Sequence, residues 1–405
     1  MKFDYDVVIV GAGASGVGMA HVLKTLGIER VVMLERYEVG ASFLRWPKEM
    51  RFISPSFTGN AFGLLDLNAV TLETSPAYTL ETEHPSGRQF ADYLRLIVKE
   101  YKLPVKCGVE VLSIQPGVQP ATSSVNGTSE AEPEGFTIPT SDGAVSARFV
   151  VWAAGEFQYP RKSVFPGADL CIHNATIRSW RALAMESLGV TLDRGTSNEA
   201  AADPHVSDFV VIGGNESGID SAVNLVRFGK TVTVLDRGVP WQPVGSDPSK
   251  TLTPYTLKRL ERALKTGRLE LVGKTRVKSV VCDKLLFSVS SKSKTWVSKN
   301  SPILATGFSG SLQLIDSLFA WKKNGYVELN DRDESTISPG LFVIGPMVRH
   351  EAMIFCFIYK FRQRFAVVAN AIAEQLEVSI EALEKYRDKQ MFLDDLSCCE
   401  EECAC

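Results

Sequence analysis

Gly11, Gly13 and Gly16 stand in the order G-x-G-x-x-G, and the next apolar run ends on an acid, Glu35. Bare positions at this spacing allow a tight turn, close approach of backbone to a pyrophosphate, and close packing of a helix on a strand. The helix opening at Ala14, Ser15 and Gly16 would offer free amides and a partial positive charge to the phosphates. Glu35 would accept hydrogen bonds from the adenosine ribose, with Arg36 beside it. The same parts recur downstream as Gly213, Gly214, Asn215, Glu216, Ser217 and Gly218, closing on Asp236. Asn215 takes the place of the middle glycine there. Asp236 suits an NADH ribose and would repel a 2′-phosphate. Arg237, with Arg227 and Lys230 nearby, could bind that phosphate instead. NADH and NADPH both stay open on these residues.

The C-terminal tail gathers a different chemistry. Cys398, Cys399, Cys403 and Cys405 crowd among five carboxylates between Leu393 and Cys405. Cys-Cys and Cys-x-Cys bring sulfurs close enough to share a soft cation such as Zn, Cu(I), Hg or As(III). Paired C-x-x-C knuckles are lacking, so a thiophilic metal would be held openly or between subunits, in a homodimer for instance. A mobile redox tail and an inert solvated tail are the competing readings. Cys107, Cys171, Cys282 and Cys356 are scattered and read as reduced core thiols rather than a disulfide framework. His173 could hold a substrate or the nicotinamide, or serve the structure alone. His350 and Glu351 follow a late strand and open a long helix, where they could handle a proton or cap that helix.

The elements that must position these residues are legible from periodicity. Tyr5–Val10 reads as a strand, followed by the glycine turn, a helix to about Leu26 stopped at Gly27, and a strand from Val31 to Glu35. Phe209–Ile212, a helix to about Phe228 stopped at Gly229, and Thr231–Asp236 repeat that order, an internal duplication of βαβ units. A hairpin region lies between them, and 115–135, rich in Pro, Ser, Gly and Thr, reads as a solvated loop. Residues 182–206 read as a helix followed by an irregular linker. Val150–Gly155, Ile303–Gly307 and Gly340–Pro346 each read as a buried strand ending in a turn, and a long helix is expected over 352–375.

A chain of 405 residues has room for two or three domains. Its net charge of −3 argues against nucleic acid or an anionic membrane as partner. No uninterrupted apolar run approaches the ~18 residues of a membrane span. Asp4 and Asp6 precede the first apolar run, which is short and leads into a glycine fingerprint, so the expectation is a strand in a cytoplasmic protein rather than a secretory signal.

Taken in order, these parts resemble the two-dinucleotide-binding-domain flavoproteins, α/β proteins in which a nicotinamide domain is inserted into an FAD domain. The resemblance implies FAD and NADPH or NADH as cofactors. It places an FAD domain over 1–160 and 303–390, an NAD(P)H domain over 161–302, and the Cys-rich tail over 391–405. Ala153-Ala154-Gly155 and Ala305-Thr306-Gly307 resemble the crossings between domains. Gly340–Gly345 resembles the strand leading to the flavin ribityl chain, with Pro346 in place of its usual Asp. Gly40-Ala41-Ser42-Phe43 resembles the turn after the FAD acid of flavin-containing monooxygenases and of related flavoproteins associated with cation-efflux systems. Phe165-Pro166-Gly167, then His173 and Asn174, resembles their signature between the two nucleotide motifs. Residues 46–57, with Trp46, suit the segment facing the isoalloxazine, and Ser54 or Ser56 stands where those monooxygenases place an Asn. Arg36, Phe43, Trp46, Val111, Gly155, Thr306, Gly307 and Gly345 complete the cofactor contacts the resemblance implies.

Disulfide reductases of this architecture set a Cys pair against the flavin, either soon after the first acid or inside the nicotinamide domain. Residues 40–60 and 213–250 contain no Cys. A thiol inside the first fingerprint is also lacking, because Ala14-Ser15 stands there. Mercuric reductases resemble the chain in ending on vicinal cysteines, but they pass the ion to a flavin-proximal pair. The leading expectation is therefore an NAD(P)H-dependent flavin monooxygenase acting on a small substrate. The alternatives are an NAD(P)H-driven reductase of a metal, disulfide or quinone with the tail taking part, and a flavin-bearing metal sensor.

Overall fold

Val7–Val10 and Val31–Leu34 are apolar at every position, the pattern of strands covered on both faces of a parallel sheet. The computed structural model describes residues 3–57, 65–117, 135–187, 206–242 and 247–397. There the two runs form β1 (Tyr5–Val10) and β2 (Val31–Glu35), paired in parallel. With β3 (Val105–Cys107), β4 (Gln115–Pro116), β5 (Phe136–Thr140) and β6 (Gly143–Trp152) they make a sheet ordered β3-β2-β1-β6-β5-β4. β6 changes partner along its length. Its first half pairs with β5 in an antiparallel hairpin, and its second half runs parallel to β1. α1 (Ala14–Thr25) connects β1 to β2 and is buried from Ala14 to Leu23, which its apolar sequence permits. α2 (Gly87–Glu100) opens on a reciprocal Ser86–Gln89 capping box and sends Phe90, Tyr93, Leu94 and Ile97 inward.

The chain then leaves this sheet and builds a second one. β7 (Ile172–His173), β9 (Phe209–Ile212), β10 (Val232–Leu235), β11 (Leu269–Val272) and β15 (Ile303–Leu304) lie in the order β11-β10-β9-β15-β7, all neighbours parallel. α3 (Glu216–Arg227) and α4 (Pro254–Leu264) cover it. A smaller sheet of β12 (Ser279–Asp283), β13 (Leu286–Ser290) and β14 (Thr295–Ser298), joined by β8 (Val206–Ser207), closes the opposite face. β16 (Leu341–Val343) returns to the first sheet and pairs with the end of β6, Leu341 opposite Val150. One dinucleotide-binding domain is thus inserted into another. Ile303–Leu304 pairs with β9 and β7, so it belongs to the inserted domain and moves the return crossing beyond the boundary expected at 302.

Two further expectations change. The helix expected over 352–375 does not begin at Ala352. Arg349–His350 and Met353–Ile354 form a two-stranded hairpin with Glu351 at its tip in the left-handed region, and helical structure starts at Ile358. The longest helix of this region, α5 (Phe365–Gln375), follows a tightened turn over Arg362–Arg364. Among the scattered cysteines, Cys107 and Cys282 are exposed rather than core residues, while Cys171 and Cys356 are half-buried, and all four are free thiols. Residues 118–134, most of the expected solvated loop, and 188–205, the expected irregular linker, lie outside the described residues.

Candidate active site

The two glycine turns repeat one another bond for bond. Gly11 and Gly213 sit at φ of +105° and +109°, where a side chain would be strained. The Gly11 amide donates to Leu34 at 2.8 Å, and that of Gly213 to Leu235 at 2.9 Å. The next amide in each turn donates to the acid ending the second strand: Ala12 to Glu35 Oε2 at 2.9 Å, Gly214 to Asp236 Oδ2 at 2.7 Å. A Cβ built on Gly16 would overlap the Gly11 carbonyl oxygen, and one on Gly218 would overlap that of Gly213. Both helices can therefore approach their strands only because these positions are bare.

Both turns open on one cavity of about 760 Å³, within the range that holds a bound cofactor. From the first turn, Gly11, Gly13, Ala14, Ser15, Glu35 and Arg36 line it; from the second, Asn215, Glu216 and Ser217 do. A Cβ built on Gly13 or Gly155 meets nothing within 4 Å. That leaves open space before the N-terminus of α1, as a diphosphate requires. The residues present fit FAD: this space would take the phosphates, and Glu35, held by the Ala12 and Tyr37 amides, would face the ribose. FAD bound there supplies the two-electron chemistry, and the chain supplies binding, orientation and a dry wall.

One stretch of that wall is aromatic. Phe43 stands 5.3 Å from Trp46 and 5.6 Å from Phe52 between ring centroids, and all three line the cavity with Val111. Arg36 is fixed by Glu110 at 3.0 Å and Gln158 at 2.7 Å. Gly345 packs on Ser15, where a Cβ would collide with the hydroxyl, so the turn after β16 closes over the first cradle. Ser54 also lines the cavity, and its hydroxyl donates to Asn68 Oδ1 at 2.6 Å. Asn68 in turn donates to the Ser54 carbonyl and the Ser56 hydroxyl, each at 2.9 Å. An Asn does support this segment, from behind the wall, and its distance in sequence hid it.

In the second cradle, Gly213, Gly214, Gly218 and Asp236 form the turn beneath the cavity rather than its surface. Trp241 packs over Gly214, with its ring edge 2.6 Å from where a Cβ would stand. Glu216 accepts from the Thr253 amide and the Thr256 hydroxyl, both at 2.5 Å, and burial still pushes its carboxyl up. Asp220, one turn on, pairs with Arg259 at 2.6 Å, and burial raises it too.

Two expected catalytic residues lie elsewhere. His173 is buried outside the cavity lining: its Nδ1 accepts from the Ala175 amide and its Nε2 faces the Gly307 carbonyl, each at 3.2 Å. Burial lowers its pKa, leaving a neutral ring with both nitrogens engaged. His350 contacts Asp333 at 2.5 Å in a buried network with Arg364, also away from the cavity. Glu351 is exposed and caps no helix. Thr306 donates to the Arg161 carbonyl at 2.6 Å, so Thr306 and Gly307 knit the crossing together rather than line the cavity, which Phe308 reaches. Cys398, Cys399, Cys403 and Cys405 lie outside the described residues. Two lining residues had no local signal in the sequence, Glu156 after the first crossing and Cys356 before the final helices.

Two dinucleotide cradles opening on one cavity define an NAD(P)H-dependent FAD oxidoreductase. The chain belongs to the pyridine nucleotide-disulphide oxidoreductase family, whose model matches residues 8–203 and 191–345. It is similar to the bacilliredoxin reductase Bdr of Bacillus subtilis, at 23% identity over 371 residues, 91% of this chain and 97% of that protein. In structure it resembles the bacillithiol disulfide reductase Bdr from Staphylococcus aureus (TM-score 0.66, 19% identity, 92% of this chain and 99% of that one). It also resembles a flavin-containing monooxygenase from Stenotrophomonas maltophilia (TM-score 0.61, 17% identity, 92% and 98%). At these identities the structural likeness shows the fold. No helix among the described residues is long and apolar enough to cross a membrane.

Proposed function

We propose that the chain is an NAD(P)H-dependent flavin monooxygenase acting on a small soft nucleophile or carbonyl. The observation carrying this reading is the sulfur content of the cavity wall. A dithiol relay needs two thiols within bonding reach. Among the described residues the wall offers only Cys356, which burial pushes up and whose thiol faces the Ser249 hydroxyl at 3.3 Å. A protonated lone thiol is a poor relay, and the aromatic stretch of Phe43, Trp46 and Phe52 suits packing against a planar flavin ring. Cys356 nevertheless favours a second reading, reduction of a small disulfide at that thiol. Supplying NADPH, isotopically labelled dioxygen and a panel of small sulfides, amines and ketones tests the first. Label in a product supports oxygenation. NADPH oxidation that waits for a low-molecular-weight disulfide and is lost in Cys356→Ser contradicts it.

The nicotinamide nucleotide follows from the end of β10. Asp236 uses both carboxylate oxygens on backbone amides, Gly214 at 2.7 Å and Gly238 at 2.6 Å. Arg237 beside it is exposed, as is Lys274 after the neighbouring strand. These cations suit a 2′-phosphate, so NADPH should be preferred. Arg237→Ala should lower kcat/KM for NADPH about 10-fold or more, the worth of one charge-assisted hydrogen-bonding group. It should leave kcat/KM for NADH nearly unchanged, and steady-state kinetics with both nucleotides checks this.

A further inference from the structure

Five carboxylates line the shared cavity, and four of them are held by donors of the chain. Glu35 accepts from the Ala12 and Tyr37 amides, Glu110 from Arg36, Glu216 from Thr253 and Thr256, and Asp220 from Arg259. Glu156 has no hydrogen-bond donor among the described residues. It directly follows Gly155, which turns in the left-handed region at φ +71° where the first sheet crosses to the inserted domain. That crossing is pinned on both sides, by the Ser311 amide on the Gly155 carbonyl at 3.2 Å and the Arg161 amide on the Gly307 carbonyl at 3.0 Å. The Glu156 carboxyl is therefore held at the cavity wall while its own bonding is left to whatever occupies the cavity.

From this geometry we propose that Glu156 is the proton-handling residue of the cavity, delivering the proton consumed when electrons pass to the acceptor. Electron and atom balance requires such a proton. For a quinone, NAD(P)H + H⁺ + Q gives NAD(P)⁺ + QH₂: the hydride carries both electrons and one hydrogen, and the second hydrogen arrives as a proton from solvent. A disulfide reduced to two thiols, or dioxygen split between product and water, consumes one proton likewise. The inference thus rests on the NAD(P)H–FAD assignment and not on the choice of acceptor.

The surroundings suit a carboxyl that holds its proton above the usual carboxylate range. Burial pushes Glu156 up, against the opposing fields of Arg349 and Arg161. Among the described residues, the thiol of Cys356 also feels Glu156, and it too is raised by burial. A carboxyl raised in this way keeps its proton above the usual carboxylate range and loses it as pH climbs through its shifted value. Proton delivery is then fully present at lower pH and fades as pH rises.

The test separates the two half-reactions in wild type and Glu156→Gln. Anaerobic reduction by NADPH delivers a hydride and needs no proton from the wall, so it should stay within about 2-fold. Reoxidation of the reduced protein by a water-soluble benzoquinone should slow about 10²-fold, the lower bound of general acid catalysis, and lose its fall with rising pH. Reoxidation by ferricyanide, which takes electrons without protons, should be unchanged. Infrared spectra of the wild type should show a protonated-carboxyl band that persists above the usual carboxylate range and is missing from the variant. Equal quinone rates in the two proteins, or equal losses with quinone and ferricyanide, overturn the proposal. Loss of NADPH reduction in the wild type itself would instead sink the NAD(P)H–FAD assignment. Should Glu156→Gln fail to fold, a wild-type quinone rate that is flat with pH overturns the proposal by itself.

Discussion

Gly218→Ala should give a protein that keeps its FAD and its yellow colour but is reduced by NADPH at least about 10²-fold more slowly. The added methyl would occupy the space of the Gly213 carbonyl oxygen, which is backbone and is held in the turn by the Gly213–Leu235 hydrogen bond. The first turn of α3 must therefore move, taking Asn215, Glu216 and Ser217 with it. These residues bring the second cradle to the cavity. A displacement near 1 Å of a positioning element costs on the order of 10² in rate. β9, β10 and the first cradle are untouched, so FAD content should match the wild type, and thermal stability should fall only by the ~1–3 kcal/mol of a local overpacking. Stopped-flow reduction and FAD release on denaturation read the two effects separately.

The companion substitution, Gly16→Ala, should produce a colourless protein. Here the methyl meets the Gly11 carbonyl oxygen, with the Ile9 side chain 3.5 Å away. α1 must back off from β1, and its N-terminus, Ala14 and Ser15, withdraws from the space in front of Gly13. An FAD diphosphate would lie in that space, in reach of the helix amides and dipole. The consequence also exceeds that of Gly218→Ala for stability. α1 is buried along most of its length, and Gly345 packs on Ser15 at its start. Since a ligand bound only to the folded state stabilises it by mass action, losing FAD lowers the melting temperature further. Added FAD should not restore the wild-type value. A variant that purifies with one FAD per chain would show that the first turn does not hold the diphosphate as described.

The βαβ duplication was legible because every part of it is local. Apolar runs, bare turn positions, a glycine stop and a terminal acid all lie within one short stretch, and each has a single physical reading. Ile303–Leu304 was legible as a strand but not as a member of the inserted sheet, since both crossings carry nearly the same residues, Ala153-Ala154-Gly155 and Ala305-Thr306-Gly307. Only the pairing of Ile303 with Val211 and Ile172 decides its side. The start of the late helix failed for another reason. Met353 to Phe357 is a short apolar run, and periodicity does not distinguish strand from helix over so few residues.

Side chains whose roles come from distant partners were not legible. His350 stood beside a flavin-domain strand in sequence, yet Asp333 and Arg364 draw it into a buried ion network. Asn68 supports Ser54 from fourteen residues away. Glu156 and Cys356 carry no motif and meet only because two crossings and the hairpin before the final helices converge on one cavity. The lack of cysteine near the first acid was correctly readable. That one thiol nonetheless reaches the wall from the far end of the chain was not.

An anaerobic titration shows whether NAD(P)H and FAD meet in this single cavity. Protein purified with FAD is mixed with NADPH in increments under argon while the flavin absorbance is followed. Complete bleaching is expected at one equivalent of NADPH per FAD, with the flavin remaining bound. Bound flavin that keeps its oxidised spectrum through an excess of both NADPH and NADH would contradict it.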